Sequence, residues 1–356
     1  MKIIHTADLH LNEKKPERWQ AMKEIIGLAT TRKVDLLLIC GDLFDSSTDA
    51  EKMRAGLRDL LSGAVFNTVI LPGNHDHRAY REGLHFGDKV SVITDSSKPL
   101  SFNGLQIWGL PHEVLSREKL EGRLLTLASK MNAAKQNILL YHGELLDAFF
   151  SRDDMGEEGD QRYMPLTLSS FGQLPLRYVL AGHFHSRYAR WPLSGGGSFI
   201  YSGSPVAVTR RETGRRAVNM LEAEKEPVEL LLNSYHYEEL NIELDPHSAT
   251  DPLALLEEKV SMLHPAAKAL VTVSGLFDGE SLGLTEENIH AGIRQVVGER
   301  LAGEPVEKYY DVRLVMEDDL YRKLAERLKG ADLSPAERER ALEMVIEAFR
   351  EVKTCS

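Results

Sequence analysis

The sequence predicts an α/β fold: a two-sheet sandwich flanked by helices, followed by a small α/β module and C-terminal helices. Three patterns predict it. Apolar runs rich in Val, Ile and Leu alternate with helical periodicity through about residue 142. Short strands and turns then dominate to about residue 232, and smaller strand and helix patterns alternate after a boundary near Asn233 to His236.

The elements follow in order. Lys2 to Ala7 reads as a strand ending at Asp8-Leu9-His10, where extended backbone would put both side chains on one face. Val34 to Cys40 is an apolar run closed by Gly41-Asp42, as expected of a buried strand delivering a carboxylate at its C-terminal end. Val69 to Leu71 leads into Gly73-Asn74-His75-Asp76, Ile138 to Tyr141 into His142-Gly143, and Tyr178 to Ala181 into Gly182-His183-Phe184-His185. Asn103-Gly104 marks a hairpin, and Gly195-Gly196-Gly197-Ser198 a hairpin tip.

Past the boundary, Tyr237 to Leu244, Ala269 to Val273 and Tyr309 to Val315 read as strands. Asp251-Pro252 opens a helix with Leu253, Leu256, Val260 and Leu263 on one face, and Thr285 opens another with Ile289, Ile293 and Val297. Leu320, Tyr321, Leu324 and Leu328 stripe a further helix that Gly330 can end. Ser334-Pro335-Ala336-Glu337 has the form of a capping box, with Leu342, Val345, Ile346 and Phe349 striping the helix it opens. The expected domains are 1–232, 233–316 and 317–356.

Asp8, His10, Asp42, Asn74, His142, His183 and His185 are candidate metal ligands, with His75 a candidate catalytic group beside them. Each segment alone has a bland reading, since a histidine after a strand is usually just hydrogen-bonded. Five strand ends converging on one rim point to a site. Phosphodiester hydrolysis needs an activated water, neutralised non-bridging oxygens and help for the leaving oxygen, and two close divalent cations supply most of this. Asp42 is the natural bridge between them. Asp, Asn and His without a nearby thiolate suit Mn²⁺, Fe²⁺ or Mg²⁺, with Mn²⁺ the single choice. Cys40 lies in an apolar strand, Cys355 has no partner spacing, and two lone thiols fit a reducing compartment.

A 42% apolar content can bury a substantial core, while the lack of a run of about twenty apolar residues excludes a membrane span. Asp8 stands too close to the N-terminus for a signal peptide, so a cytoplasmic protein is expected. The net charge of −11 argues against an autonomous, tightly binding DNA protein. Local basic groups oppose this: Arg187 and Arg190, then Arg210, Arg211, Arg215 and Arg216, read equally as polyanion contacts or a solvated hairpin surface. Asp153 to Asp160 form an acidic stretch that would repel a polyanion.

Ala7-Asp8-Leu9-His10-Leu11, Gly41-Asp42-Leu43-Phe44-Asp45, Gly73-Asn74-His75-Asp76, Tyr141-His142-Gly143-Glu144 and Gly182-His183-Phe184-His185 resemble the calcineurin-like metallophosphoesterase signature, over roughly the first two thirds of the chain. Within that superfamily the N-terminal motif is similar to the Mre11/SbcD DNA-repair nucleases. So is Tyr201-Ser202-Gly203-Ser204-Pro205 followed by Glu212-Thr213-Gly214-Arg215-Arg216. The resemblance implies one metal on Asp8, His10, Asp42 and His185, another on Asp42, Asn74, His142 and His183, and His75 as the acid for the leaving group. It also implies double-strand exonuclease and single-strand endonuclease activity, a capping domain at 233–316, and docking of 317–356 on an SMC-family ATPase like SbcC or Rad50. The residues leave open a stabilising accessory domain at 233–316 without substrate contact and, equally, helices at 317–356 that fold back onto it. A homodimer is left open.

Two departures matter. Asp45 stands where archaeal and eukaryotic Mre11 carry histidine, and its carboxylate is expected to orient His75 and favour its protonated form, or else to cap a loop. Asn12-Glu13-Lys14-Lys15 follows Leu11 where relatives often have glycine, leaving Lys14, Lys15 and Arg18 as candidate DNA contacts only. Two alternatives stay open: a phosphodiesterase for small or cyclic nucleotides, which the negative charge favours, and a non-catalytic scaffold, which the intact ligand set opposes.

Overall fold

The computed structural model describes residues 1–80, 85–147, 163–246, 248–313, 318–331, 333–334, 337–338, 340–342, 344–345 and 348. The acidic stretch from Asp153 to Asp160, and Val315, Pro335, Ala336, Ile346, Phe349 and Cys355, lie outside the described residues. Two compact units divide the chain, Met1–His236 and Tyr237–Ser356.

In the first unit, strands β1 (Lys2–Thr6), β2 (Leu36–Cys40), β3 (Asn67–Leu71) and β4 (Val90–Val92) run parallel, with β11 (Ala217–Glu222) and β12 (Val228–Leu231) added antiparallel, in the order β12-β11-β1-β2-β3-β4. A second sheet holds β5 (Leu100–Phe102), β6 (Leu105–Leu110), β7 (Gln136–His142), β8 (Tyr178–Gly182), β9 (Ala189–Pro192) and β10 (Ser198–Tyr201), in the order β5-β6-β7-β8-β10-β9. Its central four strands are parallel, and β5 and β9 pair antiparallel at the edges.

Alternation along β2 explains the layering. Leu37 and Ile39 face outward onto Met22 and Ile25 of α1 (Pro16–Thr31) and Leu57 and Leu61 of α2 (Ser47–Ser62). Leu36, Leu38 and Cys40 face inward onto Ile107, Ile138, Leu140, Leu180 and Ile200 of the second sheet. That sheet's far face, with Leu139, Tyr141, Val179 and Phe199, is covered by Leu120 and Leu124 of α3 (Arg117–Ala128) and Phe171 of α4 (Leu168–Phe171). Each buried Leu or Ile contributes about 1.5–3 kcal/mol, so both faces of both sheets are strongly specified. Because the central strands are parallel, their C-terminal ends lie side by side: Cys40 pairs with Leu71, and His142 with Gly182. One rim of the sandwich therefore collects the loops that carry the polar motifs.

The second unit has β13 (His236–Leu244), β14 (Ala267–Phe277) and β15 (Val306–Asp311), in that order, with β14 and β15 parallel. Leu256 of α5 (Pro252–Met262) and Ile289 and Ile293 of α7 (Glu286–Val297) pack with Leu240, Ile242, Val271, Val273 and Phe277, while α6 (Gly279–Leu282) is a single turn. Strand β14 outruns its expected end at Val273 because its strict alternation of buried and half-buried residues continues to Phe277. Asp251 caps α5, and Thr285 and Asn288 form a capping box on α7. Helix α8 (Asp319–Lys329) is capped by Asp318, buries Tyr321 and leaves Leu320 exposed. Among the described residues no helix is long and apolar enough to cross a membrane.

Candidate metal centre

The loop after β1 turns at once, with Asp8 and His10 in left-handed backbone (φ 55° and 48°). The two side chains therefore converge by a coiled loop, and the expected extended i, i+2 geometry is corrected. Asp42 (φ 44°) and His183 (φ 91°) share this conformation, so four of the eight non-glycine residues at positive φ among those described lie at one site. Each such residue costs of order 1 kcal/mol or more and persists only where its surroundings over-determine it. Glycines admit the close approaches: a Cβ on Gly41 would overlap the His142 ring, and one on Gly73 the Asp42 carboxylate.

Two groups of acceptors face each other across the rim. His142 Nδ1 lies 2.9 Å from the Cys40 carbonyl oxygen, to which it can only donate, leaving a lone pair on Nε2. That Nε2 stands 3.1 Å from Asp42 Oδ2 and 2.9 Å from Asn74 Oδ1. His185 Nδ1 is likewise 3.4 Å from Glu212 Oε1, and its Nε2 is 3.3 Å from His10 Nε2 and 3.8 Å from Asp8 Oδ1. Asp42 Oδ2 lies 3.9 Å from His10 Nε2, which places this carboxylate between the groups. Asp8, His10 and His185, and again Asp8, Asp42 and His142, are close enough to hold an ion.

Lone pairs aimed at one another in a buried site need a proton or a cation between them, so the donor set fits a pair of divalent cations. The protein's own electrostatics agree. Burial lowers the affinity of His142 for a proton, but the facing Asp42 carboxylate outweighs it and raises the pKa to about 10. Burial also pushes the Asp8 carboxyl up. The Cys40 thiol, raised well above its ordinary value by burial, stays protonated and turns only its carbonyl toward His142.

His183 enters by its backbone: its N–H is 3.0 Å from both carboxylate oxygens of Asp8, and its ring packs edge-on against His142 at 5.4 Å. His75 donates its backbone N–H to Asp42 Oδ1 at 3.0 Å, and its ring meets His10 edge-on at 4.8 Å.

Asp45 reaches both His75 and His10. His75 Nδ1 faces the Asp45 backbone carbonyl at 3.1 Å, whereas the Asp45 carboxylate lies 3.3 Å from His10 Nδ1 and accepts from Asn12 Nδ2 (2.8 Å) and Arg18 Nη1 (3.1 Å). Partial burial opposes its ionisation, but these partners hold the carboxyl well below the usual range. The strand-to-helix turn brings the main-chain carbonyl to hydrogen-bonding distance of His75, and an Asp45 carboxylate oxygen lies within 4.8 Å of ring nitrogens of both His75 and His10. Arg18, expected as a DNA contact, is buried and spends its guanidinium on the His10 carbonyl and Asp45. Arg216 is also buried, donating to the carbonyls of His185, Ser186 and Ser204, so it is no solvated surface group. Lys14, Lys15, Arg187, Arg210 and Arg211 are exposed.

Glu212 is the residue whose role sequence reasoning missed. It is buried, accepts from Ser204 Oγ (2.9 Å), Val208 N (2.9 Å) and Thr209 N (3.0 Å), and holds His185. Burial opposes its charge, yet His185 and Arg216 bring its pKa down to about 2. Its partner His185 is distant in sequence, so no local pattern shows the contact. Asp76 similarly ties its loop together through Gly73 N, Phe44 N and the Tyr80 hydroxyl.

Residues 1–187, just over half of the chain, match the calcineurin-like phosphoesterase family. The chain belongs to that family. It is thus a metal-dependent hydrolase acting on phosphoester bonds. This phosphoesterase is 24% identical over 233 residues to the DNA double-strand break repair protein Mre11 of Saccharolobus solfataricus, covering 60% of this chain and 56% of that protein. It is 25% identical over 244 residues to the SbcD component of the nuclease SbcCD of Staphylococcus epidermidis, covering 57% and 61%. It is 24% identical over 245 residues to the uncharacterised metallophosphoesterase YhaO of Bacillus subtilis, covering 60% and 55%. The matches span little more than half the length of these relatives.

Proposed function

We propose that the chain is a Mn²⁺-dependent DNA nuclease of the Mre11/SbcD type, a double-strand exonuclease and single-strand endonuclease serving DNA repair. The observation that carries the phosphodiesterase chemistry is the pair of acceptor groups sharing Asp42, with His75 beside them. Similarity to two proteins named as a break-repair protein and a nuclease supports DNA as the substrate.

In this reading Asp8, His10, Asp42 and His185 hold one cation, and Asp42, Asn74, His142 and His183 the other. When bound, the pair supplies Lewis-acid activation of water and charge neutralisation on the phosphate. The remaining roles belong to the chain. Asp42 fixes the main chain of His75, and the Asp45 carbonyl accepts from Nδ1, which leaves the other ring nitrogen to protonate the departing sugar oxygen. Asp45 acts on the site by its carboxylate against His10 and its carbonyl against His75. Residues 1–232 form the nuclease domain, 233–316 a capping domain that restricts which DNA forms reach the rim, and 317–356 a dock for an SbcC/Rad50-like ATPase whose basic surfaces offset the net charge of −11.

The test is hydrolysis of duplex DNA, single-stranded circular DNA and bis-p-nitrophenyl phosphate with Mn²⁺, each with wild type and His75→Ala. DNA cleavage that survives His75→Ala while the small diester is spared would show a contaminating nuclease and remove the proposal. The net charge favours a second reading, hydrolysis of small or cyclic nucleotides, and turnover of these without any DNA cleavage would establish it. Deleting 317–356 tests docking: a folded, active remnant that still binds the ATPase removes that part.

A further inference from the structure

A cavity of about 500 Å³ opens between the two sheets at the end of the sandwich opposite the metal rim, where β1, β7 and β8 begin and β11 ends. That volume lies in the range of small-molecule sites. Its floor is the inter-sheet core: Ile3 and Leu221 come from one sheet, Leu105 and Ile138 from the other, with Tyr178 beside them. Asp8, Asp42 and the rim histidines do not line it. One lip carries Lys135 and Arg177, and Asn137 ties their two segments together. This buried amide donates to the carbonyls of Lys135 (3.2 Å) and Pro175 (3.0 Å), and its main-chain carbonyl accepts from Arg177 N at 2.8 Å. The Arg177 guanidinium lies over the Tyr178 ring, 5.4 Å from its centre, which keeps it at the mouth.

Charge selects what such a cavity takes. Neither Lys135 nor Arg177 forms an ion pair among the described residues, although acidic residues outnumber basic ones by 54 to 43 in this chain. On the facing lip Glu222 is neutralised by Lys225 at 2.9 Å, which leaves Glu224 as one uncompensated carboxylate. An apolar body displaces water from the inter-sheet floor, and an anionic end relieves the repulsion between the two cations. A second negative charge would meet Glu224. We propose that the cavity binds an apolar monocarboxylate, of the class of medium-chain fatty acids, with its hydrocarbon between the sheets and its carboxylate on Lys135 and Arg177. The site is separate from the phosphoester chemistry and stands or falls without it.

Calorimetry on the full chain tests it, with octanoate, octan-1-ol and acetate as probes. Octanoate should bind about tenfold tighter than octan-1-ol, the scale of two solvent-exposed charge pairs. It should bind at least about fiftyfold tighter than acetate, from burying half of its additional methylenes. Lys135→Gln and Arg177→Gln, both at exposed positions, should each weaken octanoate about threefold and leave octan-1-ol unchanged, and the double variant should bind the two alike. Because octan-1-ol reports on the same cavity in each variant, damage to the fold is seen separately from loss of charge. Affinity for octanoate should be the same with and without Mn²⁺. Octanoate binding that requires Mn²⁺ would put the carboxylate on the cations of the rim, and a preference that survives the double variant would put it elsewhere on the chain. Either result, or a wild type that binds octanoate no tighter than octan-1-ol, overturns the site.

Discussion

The two units treat local backbone rules in opposite ways. All eight non-glycine residues at positive φ among the described residues lie in Met1–His236, four of them at the metal rim, while in Tyr237–Ser356 only glycines adopt it. Helix starts do not divide this way: α5 and α7 have side-chain caps and α1 begins at Lys15 without one, but α2, which opens just after Asp45, is capped by Ser46. A segment that only has to fold satisfies propensity and burial together, and a segment that must bring like charges and lone pairs face to face sets backbone preference aside. The strain is then stabilised from outside, by the three packed interfaces between helices and sheets and by cations.

The sharpest way to break this contrast is Asp42→Asn, which keeps the shape and tolerates left-handed backbone but removes the shared charge. Both ions should be lost, and turnover should fall more than about a thousandfold, beyond the ten- to hundredfold typical of losing an outer partner. The thermal midpoint of the metal-free protein should fall as well, because burial opposes the Asp42 charge but His142, His10 and His75 hold the carboxyl well below its usual range, and this attraction is lost along with the repulsion on Asp8. Elemental analysis showing two retained ions would remove Asp42 from its bridging place.

His75→Ala comes next. It should lose about a hundredfold in turnover, the lower scale for a missing general acid, with metal content unchanged. Lost metal instead would make His75 a ligand. Glu212→Gln weakens the hold on His185 and should reduce Mn²⁺ affinity by about ten- to a hundredfold in calorimetry. Unchanged affinity would leave Glu212 as a clamp for the 204–209 turn alone.

Sequence showed the sandwich, its buried strands and the residues of the rim, because burial imposes a local period and each motif sits at the end of an apolar run. It did not show how the side chains pair. Asp45 was legible as a carboxylate near His75, but whether its side chain or its carbonyl faces the ring depends on a turn geometry without periodicity. Arg18 and Arg216 read as surface cations, since the carbonyls that bury them belong to other loops. Glu212 was visible within a motif, but its tie to His185 spans two sheet-end loops.

A weaker effect should separate the units by pH. His5 on β1 is fully buried, its Nδ1 3.4 Å from Asn219 Nδ2, and burial lowers its pKa from 6.5 to about 3 against a weaker opposing contact with Ala181. The unfolded chain takes up this proton near 6.5 and the folded chain only near 3. The His5 contribution is therefore complete above 6.5 and is lost as pH falls from 6.5 toward 3, by up to about 1.4 kcal/mol per pH unit. His5→Gln should flatten the acid limb of the stability curve by about that slope. Parallel curves for the two proteins would mean that His5 is charged or solvated when folded.

The smallest effect belongs to the regular unit. Thr285 accepts from Asn288 N at 3.1 Å, and Asn288 Oδ1 accepts in return from Thr285 N at 3.2 Å, so Thr285→Ala breaks the side-chain half of a reciprocal cap on α7. Helix α7 supplies Ile289 and Ile293 to the core of Tyr237–Ser356, so about 1 kcal/mol should be lost from that unit's unfolding. Denaturant titration would read this as a lower midpoint with an unchanged slope. No strained residue and no candidate ligand depends on this cap, so turnover of bis-p-nitrophenyl phosphate should be unaffected. A parallel loss of turnover would show that the relaxed unit helps to hold the strained rim in place, and the separation of the two would then be one of backbone style without energetic independence.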